Sequence, residues 1–251
     1  MSKSISLAQG GLLLLVLAAG ACQTPAPAAT ATAPSAATRP PALTSTPSPS
    51  PVPPTITATP APAPRLFTDE FEQDVPNWSF LQATTGDVAP PPAITNGWLR
   101  LDIPFPNQWL YEIYAPHTYA DVRIDARVEL GAGGPGAAGV ICRYDQGAGW
   151  YEFNVYADQT YTLLFGQWLA EGIARYTPLV VAQSEEITPS VNEIGLACQG
   201  DILTPYINGV QQRRRQETLH VLSEGAIGLS AASFESAPLV ILYDWVRVTE
   251  P

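Results

Sequence analysis

From residue 66 onward, apolar and polar positions alternate with period two. In DVRIDARVELG, residues 121–131, one face carries Val122, Ile124, Ala126, Val128 and Leu130, and the other carries Arg123, Asp125, Arg127 and Glu129. Side chains of a β-strand alternate across its plane, so this segment predicts a half-buried strand with a wet outer face. The same period recurs at Trp98–Ile103, Trp109–Tyr114, Gly139–Tyr144, Trp150–Tyr156, Tyr161–Phe165, Glu193–Gln199, Ala226–Ala231 and Leu239–Val248. Turn-forming residues separate these runs: Asn96-Gly97, Gly131 to Gly136, Asp145 to Gly149, Ala157 to Gln159 and Asn208-Gly209. Asn-Gly tolerates positive φ at both central positions of a tight hairpin. Only Gly166 to Arg175 offers room for a short helix. About a dozen short strands with regular turns predict an all-β fold, a two-sheet antiparallel jelly-roll sandwich over residues 66–251.

The first 65 residues follow other rules. Lys3 precedes an apolar run, Gly11 to Ala19, that is too short to span a bilayer and fits a secretory leader. It ends Leu17-Ala18-Ala19-Gly20-Ala21-Cys22, which resembles the lipobox of bacterial lipoproteins. The resemblance implies cleavage before Cys22 and acylation of its thiol, with two or three acyl chains giving a stable anchor. Ala19 stands where that motif usually has Leu. The alternative is an ordinary leader cut near Ala21. Residues 23–65 hold 13 prolines with Ala, Thr and Ser, and no aromatic. Such a segment buries too little apolar surface to offset its ordering and predicts an extended, disordered stalk reaching at most ~130 Å. The expected organisation is a leader over 1–21, a lipidated Cys22 with linker over 22–65, and one module over 66–251. The expected location is the bacterial cell surface.

Charge sharpens the exclusions. Lys3, Arg39 and Arg65 are the basic residues before 66, and no acid occurs there. That leaves nine Arg against 23 Asp and Glu in the module, a balance unsuited to neutralising phosphates and hence to nucleic acid. Three well-separated cysteines rule out a zinc ribbon. Val140, Cys142 and Tyr144 share one strand face and Ile194, Leu196 and Cys198 another, so both cysteines point inward in an exported chain and pairing is expected, leaving Cys22 for the lipid. Two buried free thiols are the alternative.

Read in order, LFTDEFE, NGWLRLDI, YADVRIDARVELG, GVICRYDQGAGWYEFNVYADQTYTL, NEIGLACQGDILTPYING, GAIGLSAASF and LVILYDWVRV resemble the concanavalin A-like lectin/glucanase superfamily. Within it they are most similar to laminin-G-like and keto-disaccharide-hydrolase-like modules of bacterial surface lipoproteins. The resemblance implies a jelly roll whose first and last strands pair. Pro205 departs from it, because proline cannot donate to a ladder and marks an edge or a bulge.

No catalytic residue is assigned. The superfamily's glucanases carry two glutamates in an E-x-D-x-x-E strand motif; here Arg123 occupies the first position and Glu129 falls one residue late. Glu70 and Glu72 read as a solvated strand face, and His117 and His220 have no nucleophile at a suggestive spacing. The binding candidates are Trp150, Glu152, Asn154 and Tyr156, which share one face of their strand, extended by Trp109, Tyr111 and Trp168. Flat aromatics beside amides and carboxylates suit the C–H faces and hydroxyls of sugars. Ordinary packing of Trp150 and Tyr156 under a sheet face or loop is the competing account. Asp69, Glu70 and Asp244 are a candidate Ca²⁺ set near the paired chain ends. No cofactor is required otherwise. Arg213-Arg214-Arg215 is the one basic run, read as an edge guard. The expected function is binding of carbohydrate, such as a cell-envelope glycan, or of another surface ligand, without catalysis, by a monomer touching the membrane only through its lipid. A hydrolase or lyase on modified sugars and a structural adhesion module are the alternatives.

Overall fold

The computed structural model describes residues 62–84, 86–131 and 135–251. The expected leader, Cys22 and the expected stalk up to residue 61 lie outside them. The described residues form sixteen strands and no helix. The first eight are β1 (Phe67–Asp69), β2 (Trp78–Ala83), β3 (Ala93–Thr95), β4 (Trp98–Ile103), β5 (Trp109–Tyr119), β6 (Val122–Glu129), β7 (Gly136–Asp145) and β8 (Gly149–Tyr156). The rest are β9 (Thr160–Ala170), β10 (Ile173–Gln183), β11 (Val191–Gln199), β12 (Ile202–Ile207), β13 (Val210–Gln211), β14 (Arg215–Gln216), β15 (Gly225–Ser233) and β16 (Leu239–Thr249).

Two antiparallel sheets stack as the alternation requires. One runs β13-β12-β11-β6-β16-β4-β3, with β1 on β16 and β14 on β12; the other runs β10-β9-β8-β7-β15-β5-β2. The first and last strands pair, Phe67 opposite Val248. Val122, Ile124, Ala126 and Val128 are fully buried against Val140, Phe153, Leu163 and Leu229 of the facing sheet. The opposite face of β6 is wet and laced with ion pairs: Arg123 with Asp125 at 2.8 Å and Arg127 with Asp244 at 2.9 Å. Asn208 and Gly209 take φ of 49° and 81° in the two-residue turn joining β12 to β13. Pro205 sits where the outer partner of β12 breaks between β13 and β14, so no ladder loses a donor there.

Three sequence expectations change. Gly166 to Arg175 is not a helix: β9 runs to Ala170, turns at Glu171-Gly172, and returns as β10. Its alternating Trp168, Ala174 and Tyr176 fill the far side of the seven-stranded sheet, and this burial decides the conformation. Tyr144 does not share a face with Cys142. A bulge after Cys142, with Arg143 at φ 53°, turns Tyr144 to the opposite side. The Arg143 guanidinium instead points inward and donates to the carbonyls of Ala120 (2.8 Å), Gly200 (2.7 Å) and Leu222 (2.8 Å). Residues 63–65, given to the stalk by composition, lie on the module. The carbonyls of Ala63, Pro64 and Arg65 are met by His117 Nε2 (2.8 Å) and the hydroxyls of Tyr114 (2.6 Å) and Tyr119 (2.7 Å).

Cys142 and Cys198 are disulfide-bonded across the two sheets, 56 residues apart in sequence. Closing so long a loop is worth ~4 kcal/mol in the chain-entropy account. The double variant Cys142→Ala/Cys198→Ala is therefore expected to lose up to ~4 kcal/mol in urea unfolding; an unchanged midpoint would contradict a stabilising bridge.

Glu112 lies on the inner face of β5 between Leu110 and Tyr114 and is 4% exposed. Burial pushes its carboxyl up to about 7. The folded chain thus holds a proton that the unfolded chain releases between the ordinary carboxylate range and about 7, so stability falls as pH rises through that window. Glu112→Gln should remove this slope. Compared at pH 8, it should be more stable than the parent by on the order of 2 kcal/mol, with little difference at pH 4. Parallel pH–stability curves for the two proteins would refute the assignment.

Candidate functional site

Both faces of the seven-stranded sheet are covered, and β8 shows it most plainly, since only Tyr156 in it is not fully buried. Inward go Tyr151, Phe153 and Val155. Outward go Trp150, Glu152 and Asn154, yet their exposures are 0%, 1% and 4%. The cover is the β9–β10 hairpin. The sheet curls until its edges meet: the Thr84 N–H, just past β2, donates to the Gly172 carbonyl at the hairpin turn at 3.0 Å. Beneath this strap the Tyr176 hydroxyl meets that of Tyr111, and the Tyr176 ring stands 6.3 Å from Trp109 and 5.9 Å from Trp150. Trp168 closes the other side, 5.2 Å from Trp150 and 5.7 Å from Tyr111.

Small residues make this approach possible. A Cβ on Gly166 would lie 2.3 Å from the Trp150 indole, and one on Gly139 would lie 2.1 Å from Asn154 Oδ1 and 2.5 Å from Ser230 Oγ. Gly166 is the cross-strand partner of Trp150, and its lack of a side chain lets the indole lie across β9. Gly139 leaves space for the polar group at the centre.

That centre is the Glu152 carboxyl. Trp150 Nε1 donates to one oxygen at 2.8 Å; Ser230 Oγ (2.8 Å) and Asn154 Nδ2 (3.0 Å) donate to the other. Desolvation raises its pKa, and these donors, with the Tyr176 hydroxyl, act in the opposite direction. The Tyr111 and Tyr176 phenols are raised well above their usual range, by desolvation first and by the Glu152 charge second. The Glu152 network contains no cation, and neutral donors satisfy it instead.

Of the seven predicted binding residues, the structure brings Trp150, Glu152, Asn154, Tyr111, Trp109 and Trp168 into one cluster. Trp150, Glu152, Asn154 and Tyr111 are enclosed, contrary to an exposed platform, because the hairpin roofs them. Trp109 and Trp168 reach the surface on either side of the strap. Tyr156 stands apart, stacked on Phe234 with centroids 5.8 Å apart. The carboxylates proposed for Ca²⁺ do not converge. Asp69 accepts the Phe71 N–H and Trp78 Nε1, Asp244 pairs with Arg127, and Glu70 is exposed. Among the described residues no three His, Cys, Asp or Glu side chains form a metal-holding group.

A groove of about 720 Å³ opens where the strap stops. Leu81, Tyr144, Trp168 and Leu169 line it, with Gln146 and Glu171 at its rim, and Trp168 Nε1 donates to the Tyr144 hydroxyl at 3.0 Å. A smaller cavity of about 170 Å³ lies beyond Gly172, with Trp109, Tyr176 and Asn107 in its wall. Sequence reasoning named Trp168 and Trp109 but not Tyr144 or Tyr176. The bulge at Arg143 hides Tyr144 from a period-two reading. Tyr176 was missed because its segment, Gly166 to Arg175 and the residues after it, was not read as strand.

No family model matches the chain, and no curated protein does. Solved structures do resemble it. Carbohydrate-binding module CBM66 from Bacillus subtilis superposes with TM-score 0.51 at 15% identity, over 66% of this chain and 91% of that one. A Bacillus subtilis protein of unknown function with a galectin-like fold gives 0.55 at 13%, over 74% and 95%. The endo-β-1,3-glucanase from Pyrococcus furiosus gives 0.51 at 17%, over 74% and 93%. The module therefore has the two-sheet jelly-roll fold that these structures share. At these identities the likeness establishes the architecture alone.

Gly166→Ala is expected to force Trp150 away from its seat and to cost ~1–3 kcal/mol, as overpacking does. Weakened near-ultraviolet circular dichroism together with a lowered melting temperature would accompany it. An unchanged spectrum would mean the strap is looser than described.

Proposed function

We propose that this module recognises carbohydrate without catalysis, through the groove formed by Tyr144, Trp168 and Leu81. The observation that carries this reading is the pairing of two accessible aromatic faces with the amide of Gln146 and the carboxylate of Glu171 at the rim of one opening. Such a wall takes the C–H face of a sugar ring while the rim bonds its hydroxyls. Carbohydrate-binding modules and glucanases among the structures of this fold support sugar as the class of ligand.

Catalysis fits less well. Retaining hydrolysis needs two carboxyls ~5–5.5 Å apart across the scissile bond. Glu152 is sealed, and its partners are Trp150, Ser230, Asn154 and Tyr176, none of them acidic. The nearest glucanase-like stretch, Arg123 to Glu129, is on the other sheet, where Asp125 is held by Arg123. The wider reading is an exported bacterial lipoprotein that carries this module as a monomer. An acylated Cys22 would fasten it to the membrane, and the proline-rich linker would set how far from the surface the module can reach. It needs no cofactor.

The test is glycan-array screening of the full chain, with and without Ca²⁺, followed by calorimetry on any hit. Trp168→Ala and Tyr144→Ala should each weaken binding by about tenfold or more, since a stacked ring supplies ~1 kcal/mol beyond its buried area. Ca²⁺ should make no difference. A silent array, or a hit indifferent to both substitutions, would remove the groove from consideration, and release of reducing sugar would replace the binder with an enzyme.

A further inference from the structure

The segment from Gln212 to Glu224 crosses from the edge of one sheet to β15 in the other, and its side chains alternate in an unusual way. His220 and Leu222 point in. The His220 ring stacks on Phe165 with centroids 4.1 Å apart, and Leu222 is 7% exposed. Leu219 and Val221 point out, at 77% and 70% exposure.

The loop is braced in this orientation. The enclosed Glu217 carboxylate accepts the N–H groups of Leu219 (2.7 Å) and His220 (3.0 Å). The Tyr151 hydroxyl donates to the His220 carbonyl and accepts the Leu222 N–H at 3.2 Å. Arg143 donates to the Leu222 carbonyl at 2.8 Å. Five side-chain-to-backbone bonds and a ring stack thus hold two branched aliphatics in water, where each forgoes the burial that core positions offer.

The charges beside them narrow the partner. Arg213 and Arg214 are exposed, and among the described residues no carboxylate lies within ion-pair distance of either. Arg215 faces Glu217 at 3.7 Å, and nearby Asp201 is taken by the Gln216 amide at 2.7 Å. Asp121, which shares a cavity wall with Val221, faces Arg143 at 3.4 Å, so in a module of strongly negative balance Arg213 and Arg214 are left as unpaired cations on the same loop as the exposed aliphatics. Two aliphatic tips fall far short of the ~800 Å² per partner of a standard protein interface, and aromatic anchors, which such interfaces favour, are missing from the segment. Shallow insertion beside anionic headgroups needs neither breadth nor aromatics.

We propose that Leu219 and Val221, with Arg213 and Arg214, form a contact loop for the surface of an anionic lipid bilayer. The loop shares no residue with the Tyr144–Trp168 groove and requires no acyl group on Cys22, so it stands or falls apart from the carbohydrate reading.

Hydrogen–deuterium exchange on the full chain tests it, with phosphatidylglycerol vesicles, with phosphatidylcholine vesicles and with none. Exchange across residues 213–224 should slow with phosphatidylglycerol alone, and high salt should reverse this. Leu219→Ser/Val221→Ser should reduce the protected fraction on the order of tenfold, and Arg213→Gln or Arg214→Gln roughly fivefold each. All four side chains are exposed, so unchanged near-ultraviolet circular dichroism should confirm that the variants fold. Equal protection by both lipids would reduce the effect to proximity and overturn the proposal. So would protection that survives all four substitutions, no protection at all, or recovery of a protein cross-linked at this loop in place of lipid protection.

Discussion

The seven-stranded sheet curls until its two edges touch, and most of what distinguishes this module follows from that closure. One backbone bond, Thr84 to Gly172, marks the meeting point, and aromatic rings fill the space beneath it. In a sandwich with one open face, polar residues on the outer side of β8 would meet water. Here they meet β10, and the outer side becomes a second, smaller core. The opening left at its margin is the accessible aromatic groove.

A carboxyl at the centre of that second core is costly unless every oxygen is satisfied. Trp150, Asn154 and Ser230 each place a donor on Glu152 with ordinary geometry, and Gly139 makes room for them by having no side chain. Slipping β8 by one residue against β7 would put Glu152 among Phe153's present neighbours and leave the three donors without an acceptor. The network therefore specifies register at least as much as it stabilises, in keeping with polar groups that select one packing over close competitors.

Much of the architecture was legible. Period two along β6, β8 and β11, with Asn-Gly at the β12–β13 turn, identified strands whose buried faces match the expected ones. The inward placement of Cys142 and Cys198 anticipated their bond. The site was legible in part. Trp150, Glu152 and Asn154 were correctly put on one face, but a strand with two buried sides looks, residue by residue, like one with a polar outer side. Tyr144 was misplaced because one left-handed residue, Arg143, reverses the alternation, and arginine is an unremarkable letter in a strand. Gly166 to Arg175 was ambiguous because Gly166 there reports close packing against Trp150 and Gly172, at φ 70°, reports a turn, neither of them a preference for helix or strand.

The amino-acid order alone determined that most of residues 66–251 alternate as strands, which side of β6, β8 and β11 carries the main core, and that acidic side chains outnumber basic ones in the module. Those properties are local: they depend on side-chain period and on composition, which neighbours along the chain suffice to define. Only the tertiary structure decided that the outer face of β8 is roofed, that Tyr144 joins Trp168, and that Leu219 and Val221 stand in water while His220 and Leu222 do not. Each of these depends on sheet curvature, on a bulge or on a brace from distant residues such as Tyr151 and Arg143. Such long-range contacts exist only once the two sheets have closed.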